Sequence, residues 1–225
     1  MTKDRRSFLT QLGAGVTVAG ATLGSGAPLA NAQSSASFRP ASHMQDDWMD
    51  KIPGKHRLVF DTTTPAGFGA ALAYANNYLT ASQTGYGLND QDAAIIIVAR
   101  HFSTPYAYND AMWTKYGKVM PPMIKLEDPK TKQPSDTNLY AAPGFQGSNL
   151  GVATPEVLKR GVHFAVCQMA TQFFAGMMAQ QIGSTGDAVF KELSANLIAN
   201  SHLAAAGIVA VNRAQERGFT LVTPL

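Results

Sequence analysis

Beyond residue 54 the apolar positions follow two alternating rhythms, short continuous runs and longer stretches at helical spacing. Residues 56–61 form the first run and predict a strand. Pro65 then opens a stretch in which Phe68, Leu72, Ala75 and Leu79 recur at helical spacing, ended by Gly85 and Gly87. Ala93–Ala99 is apolar at every position, as expected for a strand covered on both faces of a parallel sheet. It ends in Arg100-His101-Phe102-Ser103, and Pro105 is expected to begin a helix running through Trp113 and Tyr116. A short helix over 155–160 leads into a third strand, 162–167. The next helix, 170–181, is expected to carry Phe173, Met177 and Gln180 on one face. A helix over 188–200 with a Val189, Leu193, Leu197 stripe, a weak strand at 202–205, a helix over 207–217 and a strand at 219–222 complete the pattern.

This alternation predicts an α/β domain with a mostly parallel, doubly wound, five-stranded sheet and helices on both faces. Two segments break the rhythm. Residues 33–54 are polar and contain Pro40, Pro53 and Gly54, which predicts an irregular arm. Residues 118–153 hold Pro121, Pro122, Pro129, Pro134 and Pro143 without periodicity. A loop that long inside a domain is usually a lid, an interface or a mobile insertion.

The first 32 residues read as an address. Arg5-Arg6 is followed by Phe8-Leu9, then by a Gly- and Ala-rich run of modest hydrophobicity from Leu12 to Leu29, and by Ala30-Asn31-Ala32. That is the pattern of a twin-arginine signal with a small-x-small cleavage site. Asp4 and Thr10 depart from the ideal motif. The expected organisation is a signal at 1–32, an arm at 33–54 and one domain at 55–225, working in the periplasm after cleavage.

The chain carries a formal charge of +3, of which Lys3, Arg5 and Arg6 against Asp4 supply +2, so the remainder holds only +1. Without basic clusters to track phosphates, nucleic acid is not an expected partner, and no second apolar stretch predicts stable membrane insertion. No glycine fingerprint for a nucleotide follows a strand, no Gly-x-Ser-x-Gly elbow is present, and no histidine pair has metal-ligand spacing. Neither a cofactor nor a metal is expected. The methionines read as core filler rather than copper ligands.

Candidate chemistry gathers at predicted strand ends, where open parallel sheets bind ligands. Asp61, Arg100-His101 and Cys167 each close a strand, so sequence-distant residues would share one rim. Cys167 is the single cysteine. At a helix amino terminus its sulfur would face unpaired N–H groups, which favour the nucleophilic thiolate. An intermolecular bridge and an inert buried thiol are the other readings, the latter because free cysteine often behaves as a small apolar side chain. His101 would orient or deprotonate a partner on the rim, or serve as a hydrogen-bonded structural residue. His163 reads as core or interface.

The run from Leu158 to Cys167, LKRGVHFAVC, resembles the helix and Gly-Val-x-Phe-x-x-Cys segment of the DsrE/DsrF-like family. The closing stretch is similar to that family's last helix and strand: a Gly207-led helix, Gln215-Glu216-Arg217-Gly218, and an aromatic strand ending at Pro224. The resemblance spans 55–225, interrupted by 118–153. It implies a flavodoxin-like sheet, trimeric or hexameric assembly, and a sulfur-relay role in which Cys167 takes up sulfane sulfur as a persulfide and passes it to a protein or small sulfur compound. Asp61, Arg100 and His101 would line the pocket. The other function class left open is a non-catalytic binding or assembly module with Cys167 buried. Phe102, Tyr106, Tyr108, Trp113 and Tyr116, crowded beside the insertion, are expected to mark an interface between copies of the chain, the alternative being that the insertion folds back over them as a lid on a monomer.

Overall fold

The computed structural model describes residues 39–224. Five parallel strands form one sheet in the order β4-β3-β2-β1-β5: β1 (His56–Thr62), β2 (Ala93–Ala99), β3 (His163–Cys167), β4 (Ser201–Ala204) and β5 (Thr220–Val222). The expected doubly wound α/β architecture, of flavodoxin-like type, is present. All seven residues of β2 are buried, as a strand flanked by neighbours and covered on both faces requires. Its side chains alternate strictly. Ile95, Ile97 and Ala99 enter the larger core, and Ala94, Ile96 and Val98 the smaller one.

The larger core lies under α2 (Pro65–Tyr86), α3 (Asp110–Tyr116), α5 (Gln168–Ile182) and α6 (Gly186–Ala195), while α4 (Thr154–Lys159) contributes Val157. Thr64 caps α2 by accepting from the Gly67 N–H, Pro65 supplies a preset φ, and Gly87 ends the helix in the left-handed conformation. The opposite face is covered by α7 (Gly207–Glu216) and by α1 (Asp47–Lys51). The segment expected to be an irregular arm therefore contains a short helix. Met49 and Ile52 are buried on the sheet, and Trp48 stacks on His202 with centroids 3.9 Å apart. Burial of Met49 and Ile52, with the stacking of Trp48, compensates a helix too short to be stable alone.

Three further expectations change. No helix begins at Pro105: a 3-10 helix spans His101–Ala107, and α3 starts only at Asp110, where Asn109 Oδ1 accepts from the Met112 N–H. On α5 the buried positions are Phe174, Ala175, Met178 and Ala179, whereas Phe173 is 58% exposed, so the inward face is displaced by one residue.

The aromatic cluster is not an open surface. Tyr106, Tyr108, Trp113 and Tyr116 are all buried within this one chain. The insertion closes over the cluster: the Tyr106 hydroxyl donates to the Ile124 carbonyl at 2.6 Å, Asn138 donates to the Tyr106 carbonyl at 3.1 Å, and Tyr140 packs on Tyr106 and Phe68. Gly69 of α2 permits this approach, because a Cβ there would fall 2.5 Å from the Tyr140 ring. The aromatics thus give no independent motive for assembly. No helix among the described residues is long and apolar enough to cross a membrane.

Candidate functional site

The strand order fixes where a site can form. From β1 to β4 each step moves the same way across the sheet, and the connections between them fill one face. The step from β4 to β5 returns across the whole sheet, carrying α7 on the other face. The loops after β3 and β4 consequently leave toward opposite faces, and their divergence opens a crevice at the carboxyl ends of these strands.

A cavity of about 510 Å³ lies there. Cys167 and Phe174 form its floor side, Arg100, His101 and Phe102 enter from the end of β2, Gly207 and Ile208 from the start of α7, and Met123 from the insertion. Cys167 is 7% exposed and is one of the lining residues. It is the N-cap residue of α5: Sγ accepts from the Ala170 N–H at 3.4 Å, and Thr171 Oγ1 donates to the Cys167 carbonyl at 2.9 Å. The sequence placed a helix start near this sulfur; the capping role follows from α5 beginning directly at Gln168.

Arg100 is held in place. Nε donates to Asp61 Oδ1 at 2.6 Å and Nη2 to Oδ2 at 2.8 Å, a bidentate pair. The Asp61 carboxylate raises the Arg100 pKa first through these hydrogen bonds, against partial burial. Gly207 packs so closely on the same side chain that a Cβ there would lie 2.3 Å from Arg100 Cβ. Asp61 itself does not line the cavity. It stands behind Arg100 as the anchor, a correction to the expected pocket wall, and it is brought there because Asp61 pairs in register with Val98, two residues before Arg100.

His101 lines the cavity from the solvent side and adopts φ +55, a left-handed conformation uncommon outside glycine. Its ring lies against Phe102, and Nδ1 is 3.4 Å from the Thr63 carbonyl. The turn is fixed beneath it by Ser103, whose Oγ accepts from the Arg100 N–H at 3.0 Å and lies 2.9 Å from the Thr62 carbonyl. The Tyr108 hydroxyl is fully buried near Thr171 and Cys167 and makes no hydrogen bond; burial pushes its pKa far up. It is a structural, un-ionised phenol.

Several lining residues escaped the sequence reading. Met123, Met169, Phe173 and Ile208 are largely exposed apolar side chains around the opening. The one available signal was Ala206-Gly207, a small-residue helix start directly after a strand. A second cluster was also unforeseen. His163 and His202 have no ligand spacing in sequence, yet adjacent strands bring His163 Nδ1 to 3.2 Å from His202 Nε2 beneath Trp48. Among the described residues no three His, Cys, Asp or Glu side chains converge as metal ligands would.

No family model matches the chain, and no curated protein matches it. A solved structure of a protein of unknown function from Methanobacterium thermoautotrophicum is similar over 76% of this chain and 100% of its own, with 15% identity and a TM-score of 0.38. A likeness at that level adds nothing to what the sheet order establishes.

Proposed function

We propose that this protein is a sulfur carrier in which Cys167 holds a transferable sulfur atom as a persulfide. The observation that carries the reading is the position of Cys167: the single thiol lines the cavity at the chain reversal and receives an N–H from the first turn of α5. The exchange balances without an external oxidant. The Cys167 sulfur attacks the outer sulfur of a donor R–S–SH, the new Sγ–S bond forms as the donor's S–S bond breaks, and R–S leaves with the electron pair and takes the thiol proton. Delivery is the same step in reverse toward an acceptor thiol. The resemblance to DsrE/DsrF-like proteins points the same way. Export through the twin-arginine segment belongs to this proposal, although residues 1–32 lie outside the described residues. Assembly into trimers or hexamers belongs to it too, on the resemblance alone.

The low exposure of Cys167 favours the second reading, a non-catalytic module with a structural thiol. The two part on whether the folded, reduced protein gains sulfur at Cys167 when a sulfane donor is supplied.

A further inference from the structure

The cavity carries information about what brings the sulfur. Its wall is almost wholly hydrocarbon: Phe102, Phe173, Phe174, Met123, Met169 and Ile208 surround the approach to Cys167. Arg100 is the one permanently charged side chain on the lining, and its Nε and Nη2 already donate to the two Asp61 oxygens. The pair contributes no net charge. A small inorganic anion such as thiosulfate or polysulfide would exchange its hydration for a wall made mostly of carbon and an arginine whose charge is already countered, an unfavourable transfer even with the first-turn N–H groups of α5 at hand. A volume of about 510 Å³ also far exceeds what such an anion fills and lies within the range of sites for small organic molecules.

We infer that the sulfur exchanged at Cys167 arrives or leaves on an apolar organic body, an aryl- or alkyl-bearing persulfide or thiol, rather than as an inorganic sulfur anion. This rests on the sulfur-carrier reading and names its substrate class. The carbon body occupies the crevice between α5 and the start of α7, with Phe173 and Ile208 closing over it from opposite sides of the opening. The reacting sulfur is thereby directed at Sγ. Phe173, exposed on α5 without a core role, is assigned as a specificity-determining residue.

The test compares two thiol reagents with one reactive group and different bodies, benzyl methanethiosulfonate and sulfonatoethyl methanethiosulfonate. Each forms Cys167–S–S–R and releases methanesulfinate, so rates on the folded protein can be divided by rates on glutathione. Seating a phenyl ring in the cavity gives a corrected benzyl preference of about tenfold or more. Phe173→Ser, a change at an exposed position that adds no charge and leaves folding intact, removes most of that preference. Equal corrected rates, or a faster sulfonate, overturn the inference even if Cys167 takes up sulfane sulfur. A benzyl preference without any uptake of sulfur overturns the carrier reading and leaves an apolar ligand site. Reaction only after denaturation overturns both.

Discussion

Asp61 grips Arg100 with both carboxylate oxygens, at 2.6 and 2.8 Å, across the carboxyl ends of two neighbouring strands. The pair fixes the wall beside Cys167, and the carboxylate counters the guanidinium charge. Asp61→Asn keeps the shape and removes the countercharge, leaving a partly buried guanidinium unpaired. Removing one partner of a fully buried pair costs about 3–5 kcal/mol. Arg100 retains 27% side-chain exposure, so a loss of about 1–3 kcal/mol is expected from urea unfolding. A loss below about 0.5 kcal/mol would mean the pair is solvated and loose.

The histidine pair makes stability depend on pH. Burial, and then the neighbouring His163, lowers the His202 pKa from 6.5 to about 4, and burial lowers that of His163 as well. Between those values the unfolded chain binds more protons than the folded one, so stability is full above about pH 6.5 and falls as the pH drops toward 4. Urea midpoints measured at intervals from pH 7 to about pH 5, above most carboxylate titration, should decline. His202→Gln should flatten the decline. An unchanged slope in that variant would place the titrating group elsewhere.

The insertion behaves as core. Tyr140 is buried, packs on Phe68, Tyr106 and Phe145, and its hydroxyl lies 2.7 Å from Ser148 Oγ. Tyr140→Ala should cost about 3–5 kcal/mol, the range for deleting a buried aromatic side chain. A loss near zero in urea unfolding would show that residues 118–153 detach from the aromatic cluster.

These relationships divide by how local their signals are. β2 was legible because every residue from Ala93 to Ala99 is apolar, and β3 because its run ends at one distinctive residue, Cys167. The face of α5 was not, since Phe173-Phe174 and Met177-Met178 are apolar doublets and period alone cannot choose within them. α1 has five residues, too few for any period to register. In the insertion the buried anchors Met120, Ile124 and the Leu139-Tyr140 pair are separated by prolines and turns, so their shared destination shows only in three dimensions. The site divides the same way. Strand ends pointed to Asp61, Arg100, His101 and Cys167, but strand order decides which of them meet, and it placed Asp61 behind Arg100 rather than on the wall.

A carrier must both accept sulfur at Cys167 and give it back. The most direct test is the intact mass of the folded, reduced protein after exposure to an organic persulfide, followed by an excess of small thiol. The expected result is the mass of one added sulfur atom, mapped to the peptide containing Cys167, lost on thiol treatment and never gained by Cys167→Ser. A protein that gains no sulfur while folded, or gains it equally in the Cys167→Ser variant, would contradict it.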